Sequence, residues 1–213
     1  MPTTVYFVRH GESAWNATGR YQGRLDAPLS DLGLRQADLL ARRFAPVRLD
    51  AIYTSPLQRA RVTAERIAAC HGMAVVSEPG LTEIDHGEWN GMLRAEVERR
   101  YPETVRLWRE APGQVRMPGG ESLADVRQRG MAAVDAIAAA HPNGAALVVS
   151  HHAVLKVVLG TLVGLGLEDF WTLDVDQASG SAAEIGGPWP LLTLLNDTCH
   201  LGGYRASTAE RSV

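Results

Sequence analysis

A histidine between an arginine and a glycine follows the first apolar run of the chain. Val5–Val8 leads directly into Arg9, His10 and Gly11. Neutral imidazole is a competent nucleophile because its unperturbed pKa is about 6.5. The planar fork of an arginine binds two phosphate oxygens at once, and a glycine lets backbone approach a ligand closely. This combination suits attack on a phosphoryl group or binding of one. The alternative is a histidine that only ends a strand.

A second histidine ends a second apolar run. His151 follows Ala145–Val149 and Ser150, which parallels the position of His10 after Val5–Val8. In α/β proteins, ligands bind outside the carboxyl ends of such strands. Position alone does not tell which of the two histidines would attack and which would bind.

Five short motifs extend this pattern along the chain. They are Arg9-His10-Gly11-Glu12 with Asn16, Thr54–Ala60 with Thr63-Ala64, Leu81–Asp85 with Gly87-Glu88-Trp89, Pro118–Ser122, and Val149-Ser150-His151. In this order they resemble the histidine phosphatase superfamily, also called phosphoglycerate mutase-like, over residues 5 to about 165. The compact chain looks closest to its broad-specificity and α-ribazole phosphatase branch.

The resemblance implies roles for individual residues. His10 is the expected nucleophile, with the carbonyl of Gly11 fixing its tautomer, and Glu83 is the expected proton donor. Spacing alone does not choose among Glu83, Asp85 and Glu88. The expected phosphate-binding residues are Arg9, Asn16, Gln22, Gly23, Arg59 and His151. Without the resemblance, Arg59 would be interpreted as a solvated helix arginine.

One position departs from the family pattern. The family usually has glycine after the last motif's histidine, whereas this chain has His152. A bulky ring there could reshape the pocket. The favoured expectation is that His152 points away into the following helix, over residues 153–165.

Alternating strand-like and helix-like segments predict an α/β fold, three-layered with a mostly parallel sheet. The strand candidates are Thr4–Val8, Ala51–Tyr53, Ala74–Val76, Ala145–Val149, Ala182–Ile185 and Leu191–Leu195. Helices are expected after the N-cap Ser30, from Pro56 to about Cys70, and over 122–140. One domain over 1–213 is expected, with a helical insert at about 89–118 and a frayed tail through Thr208–Val213.

Composition narrows the partners. The net charge of the 213-residue chain is −3, which does not favour nucleic acid as a partner. The distant cysteines Cys70 and Cys199 fit a reducing cytoplasm, and no targeting or membrane-spanning segment is visible. No cofactor and no metal are expected, because adjacent histidines rarely both ligate one ion and no His-x₃-His or Cys-x₂-Cys pattern occurs. A homodimer would fit the family but has no signature here.

The function expected from the resemblance is metal-independent hydrolysis of small-molecule phosphomonoesters through a phosphohistidine on His10. The alternatives are a cofactor-dependent phosphoglycerate mutase and a non-catalytic phospho-ligand binder. Mutases carry a lysine and paired arginines for the substrate carboxylate, and residues 89–117 contain arginines but no lysine. A short insert leaves the site open to water, which favours hydrolysis.

Overall fold

The structure is a computed structural model that describes residues 2–204. Six strands form one sheet in the order β3-β2-β4-β1-β5-β6. They are β1 (Thr3–Arg9), β2 (Ala51–Thr54), β3 (Val75–Ser77), β4 (Ala145–Ser150), β5 (Gly180–Ile185) and β6 (Leu191–Asp197). The first four strands of that order run parallel, and β5 and β6 are antiparallel to their neighbours. The predicted, mostly parallel sheet is therefore confirmed.

Helices cover both faces of the sheet. They are α1 (Asp31–Phe44), α2 (Gln58–Ala69), α3 (Arg94–Arg100), α4 (Pro102–Glu110), α5 (Leu123–Ala140) and α6 (His152–Leu162). Because side chains alternate along a strand, Phe7 and Val8 of β1 point to opposite faces. Val8 packs in one core with residues of α1 and α2, and Phe7 packs in a second core with residues of α5 and α6. The three-layer α/β/α prediction is confirmed.

Helix starts show where local prediction held and where it did not. Ser30 caps α1 as expected, with its Oγ accepting a hydrogen bond from Gly33 N at 3.0 Å. The prediction that Pro56 opens α2 was wrong, since the helix begins at Gln58. Pro56 lies instead in a turn in which Ser55 Oγ accepts from Leu57 N at 3.2 Å.

The segment between the acid motif and α5 contains the two short helices α3 and α4. The assignment of the whole chain to one domain stays a prediction, and the tail expected through Thr208–Val213 lies outside the described residues. Within residues 2–204, no helix combines the length and apolar character needed to cross a membrane.

Candidate active site

The two strand-end histidines meet at one edge of the sheet. Parallel pairing of β1 with β4 sets Arg9 opposite Ser150, and His10 N donates to Ser150 O at 3.1 Å. The rings of His10 and His151 therefore lie edge to face, with centroids 4.9 Å apart. A cavity of about 570 Å³ opens above this edge. Its wall includes all the sequence-predicted site residues except His151, namely Arg9, His10, Asn16, Gln22, Gly23, Arg59 and Glu83.

His10 is held in one tautomer. Its Nδ1 lies 2.6 Å from the carbonyl oxygen of Gly11, so Nδ1 carries the hydrogen and Nε2 of the neutral ring keeps its lone pair. Burial, followed by the nearby charges of Arg59 and Arg9, holds the pKa of His10 well below its usual value. The ring is thus neutral and nucleophilic at physiological pH.

Two glycines let the His10 loop pack directly against the start of α1. A Cβ on Gly11 would lie 2.5 Å from the carbonyl oxygen of Gly33, and a Cβ on Gly33 would lie 1.9 Å from the carbonyl oxygen of Glu12. Side chains of α1 complete the contact, since Glu12 N donates to Gln36 Oε1 at 2.8 Å. The loop that carries the nucleophile is therefore fixed to a helix.

Arg59 is a buried cation aimed by backbone carbonyls. Its terminal nitrogens donate to Leu25 O and Gly23 O, both at 2.8 Å, while Nε is buried with no partner among the described residues. Gly23 has φ +49°, and a Cβ there would lie 2.0 Å from Asn90 Oδ1. Burial lowers the pKa of Arg59 to about 10, which leaves it charged at neutral pH. Arg59 is not the solvated helix arginine of the alternative interpretation.

His151 lies behind His10. It is fully buried, and its Nε2 is 2.7 Å from Ser55 Oγ. Its Nδ1 has no hydrogen-bond partner among residues 2–204. Burial, then Arg59 and His10, hold its pKa well below the usual value. Arg9, at the end of β1, is held by a hydrogen bond in which its Nη1 donates to Val175 O at 2.8 Å.

Asn16 and Gln22 are tied together by one hydroxyl. Ser13 Oγ donates its single hydrogen to Gln22 Oε1 at 2.7 Å, the shorter contact, and lies 2.9 Å from Asn16 Oδ1. Asn16 Oδ1 also accepts from Ser13 N at 3.1 Å. Since these bonds occupy the amide oxygens, the amide nitrogens are the donors that a ligand in the cavity can use.

Glu83 lies on the cavity wall with its carboxyl group fixed by backbone. Oε1 accepts from Ile84 N at 2.9 Å, and Oε2 accepts from Ala153 N, near the start of α6, at 3.4 Å. The side chain is 8% exposed.

An arginine that the sequence analysis did not single out holds the segment carrying Glu83. Arg129 of α5 donates to the carbonyl oxygens of Gly80, Thr82 and Glu83. Glu121, from the fourth motif, pairs with Arg129 at 2.9 Å. These contacts of Arg129 have no signal in the sequence, because they depend on the packing of α5 against residues 80–83.

The expectation for His152 was wrong. Its side chain lies on the cavity wall, because α6 begins at His152 itself and its first turn faces the site. Lys156, one turn later on the same helix face, also reaches the cavity. Both residues meet Phe170, with the His152 ring centroid at 6.4 Å and Lys156 Nζ at 4.4 Å from the Phe170 ring centroid.

His86 also lies on the cavity wall. Its ring stacks on that of Trp89 with an interplanar angle of 12°, and burial lowers its pKa to about 4. Despite these histidines, the described residues contain no group of three or more His, Cys, Asp or Glu side chains placed to hold a metal ion.

Comparison with known proteins places this site in a family. The family model described as histidine phosphatase superfamily (branch 1) matches residues 5–198. The chain therefore belongs to the histidine phosphatase superfamily, as its motifs indicated.

Three similar proteins refine that placement. Phosphoserine phosphatase 1 of Hydrogenobacter thermophilus is 43% identical over 94% of this chain and 95% of its own. The solved structure of Bacillus stearothermophilus YhfR is 32% identical with a TM-score of 0.90, over 93% of this chain and 99% of that one. A putative α-ribazole-5'-P phosphatase from Escherichia coli is 27% identical with a TM-score of 0.84, over 92% and 97%. Together with the site, they show a phosphatase of small phosphate esters.

Proposed function

We propose that the chain hydrolyses phosphomonoesters by transferring the phosphoryl group to Nε2 of His10 and then to water. The observation that carries this proposal is the 2.6 Å contact of His10 Nδ1 with Gly11 O, which directs the free lone pair of a neutral ring into the cavity. Arg9 and Arg59 supply the positive charge that a phosphate dianion requires. The amide nitrogens of Asn16 and Gln22 add neutral donors, and Gly23 acts through the carbonyl that aims Arg59.

The buried orphan atoms support the same role. Arg59 Nε and His151 Nδ1 have no hydrogen-bond partner among the described residues, although each is buried. An unsatisfied buried polar atom costs about 1–3 kcal/mol. Phosphate oxygens would satisfy the Arg59 donor directly, and His151 packs against the ring that receives the phosphoryl group.

Glu83 acts in both chemical steps, first as an acid and then as a base. In the first, a bond forms between Nε2 of His10 and phosphorus while the ester P–O bond breaks, and protonated Glu83 gives its proton to the leaving alkoxide. In the second, Glu83 takes a proton from water, whose oxygen attacks phosphorus and displaces His10. Inorganic phosphate leaves, and both side chains return to their starting states.

The insert favours hydrolysis over the mutase alternative. Of the arginines within residues 89–117, only Arg94 is among the described residues on the cavity wall. The pair of arginines that a mutase needs for its substrate carboxylate is therefore not supplied by this segment. Because the 43% identical relative is named phosphoserine phosphatase 1, phosphoserine is the first substrate to test.

Phosphate release from p-nitrophenyl phosphate and phosphoserine, measured in EDTA, tests the proposal. Wild type should turn over, and His10→Ala should lose at least about 10⁴ in kcat. His71→Ala, which replaces a histidine outside the cavity wall, should match wild type. Quenched wild type should carry phosphate on His10, in a bond that survives base and breaks in acid. Full activity in His10→Ala would overturn the proposal, and phosphate transfer only to a second phosphoglycerate would favour the mutase.

A further inference from the structure

The chain contains a single lysine, and it lies in the wall of the active-site cavity. Among 21 basic residues, 20 are arginines and one is Lys156. Lys156 is 5% exposed, and its Nζ lies 4.4 Å from the ring centroid of Phe170 and 4.3 Å from that of Trp171. No hydrogen bond or ion pair joins it to another residue in the part of the chain that the structure describes.

A buried ammonium group with no acceptor is costly unless a ligand supplies one. Ring faces stabilise a cation by about 0.5–2 kcal/mol, but they accept none of its three N–H donors in the way that an oxygen does. Burial accordingly lowers the pKa of Lys156 to about 8, although Asp174 opposes the shift. The cavity offers a path by which an oxygen ligand can reach Nζ, beside the rings of Phe170 and Trp171.

Lys156 shares the cavity wall with Glu83, the proposed acid. Glu83 protonates the ester oxygen under the proposed function, and its Oε2 accepts from Ala153 N at 3.4 Å. Lys156 follows Ala153 by three residues, so its Cα lies about 4.5 Å further along the axis of α6. A leaving group bound beside Glu83 can therefore reach the turn of α6 that carries Lys156.

We propose that Lys156 forms a second anion subsite, which binds a carboxylate carried by the leaving group close to its ester-bearing carbon. The substrate class is a phosphorylated hydroxy or amino acid, and this assignment rests on the proposed function. His152, Arg94 and Arg9 line the same cavity, and the charges of Arg9, Lys156 and Arg94 all act on His152. Lys156 is the specificity-determining cation among them because it is the one between two aromatic faces.

Paired substrates test the subsite. Phosphoserine and phosphoethanolamine share the phosphate and the ammonium group and differ by the carboxylate, and 3-phosphoglycerate carries a carboxylate without the ammonium. Lys156→Met should raise KM for phosphoserine and 3-phosphoglycerate about 10- to 100-fold, with kcat little changed. The KM for phosphoethanolamine and p-nitrophenyl phosphate should change by less than about twofold. Arg127→Met, which removes a positive charge from an exposed position of α5, should change none of them.

The outcomes separate the subsite from the proposed function. An equal effect of Lys156→Met on all four esters, or none on the carboxylated ones, overturns the subsite while hydrolysis stands. If the wild-type protein hydrolyses none of the four esters, the proposed function itself is overturned.

Binding gives a readout that needs neither turnover nor a folded Lys156→Met. Because the chain has one lysine, protein labelled with ¹³Cε-lysine shows one lysine signal. In His10→Ala, phosphoserine should shift that signal and raise the measured pKa of Lys156 more than phosphoethanolamine does. Identical shifts with both ligands overturn the carboxylate subsite.

Discussion

The two ends of the cavity hold their charged groups in different ways. At the phosphate end, His10 is fixed by the carbonyl of Gly11, and Arg59 by the carbonyls of Gly23 and Leu25. At the distal end, Nζ of Lys156 lies against the ring faces of Phe170 and Trp171. Directional backbone bonds fix a donor to within a few tenths of an ångström, as catalysis requires, whereas ring faces leave a cation free to adapt. The chemistry is therefore preorganised, and the specificity end is adjustable.

The acid at the phosphate end should give the largest effect of those below. Glu83→Gln keeps an oxygen to accept from Ile84 N but cannot deliver a proton. We expect kcat/KM for alkyl phosphates, which reports the first step alone, to fall by about 10² to 10⁴. The loss of kcat/KM with p-nitrophenyl phosphate should be much smaller, because its leaving group needs no proton. An equal loss on both substrates, measured by phosphate release, would contradict the role of Glu83 as proton donor.

Replacing Arg129 should also slow alkyl phosphates more than p-nitrophenyl phosphate, but with a smaller loss of rate than Glu83→Gln. Arg129→Met frees the carbonyls of residues 80–83 and lets Glu83 move without removing it. A displacement of about 1 Å can cost up to about 10² in rate, so kcat/KM for alkyl phosphates should fall by about 10- to 100-fold. Arg127→Met, on an exposed position of the same helix, is the matched control. A uniform loss on alkyl and aryl esters would show that Arg129 only stabilises the fold.

These two predictions mark what sequence could supply. His10, Glu83, Arg9 and Arg59 were predicted from motifs that resemble the family, and the structure brings them to one cavity, while their roles stay predictions. Arg129 was missed because its function depends on which carbonyls α5 meets across 40 or more residues of intervening chain. The sequence offered one signal for Lys156, which is a lone charge in the apolar stretch of α6. Its place beside the rings of Phe170 and Trp171 is visible only in the structure.

His152, between the phosphate end and the distal end of the cavity, shows why the sequence pattern gave the wrong orientation for a residue at a helix start. Sequence placed the start of the helix at residue 153, which would leave His152 in the preceding loop. The helix begins one residue earlier, so His152 shares a helix face with Lys156 and turns toward the cavity. Such end positions are set by tertiary contacts, here the bond from Ala153 N to Glu83.

Acid should weaken the fold mainly through the phosphate end and its border. The pKa values of His10, His86, His151 and His152 are all lowered, chiefly by burial. A histidine with a depressed folded-state pKa contributes stability that is complete above its unfolded pKa of about 6.5 and is lost as pH falls below that value. Each proton taken up on unfolding should lower the free energy of unfolding by about 1.4 kcal/mol per pH unit.

Urea unfolding between pH 7.5 and 5 measures this slope. This pH range lies above the one in which protonation of Asp125, with its pKa lowered to about 2, would change the free energy of unfolding. His152→Leu should reduce the slope by about one proton, since its ring carries one of the four shifts. A slope that His152→Leu leaves unchanged would show that this ring is already protonated, or exposed, in the folded protein.

The distal end should respond to alkali, with the smallest of these effects. Lys156 has a pKa of about 8, set by burial and by the opposing charges of Asp174 and Arg9, with His152 and Arg94 also near it. A raised pH removes its proton, so KM for phosphoserine should rise by up to about tenfold between pH 7 and 9. Phosphoethanolamine titrates the same phosphate site without a carboxylate and should show no such rise. Lys156→Arg, whose charge persists over this range, should flatten the phosphoserine profile, and a wild-type profile that stays in place in that variant would assign the titration to another group.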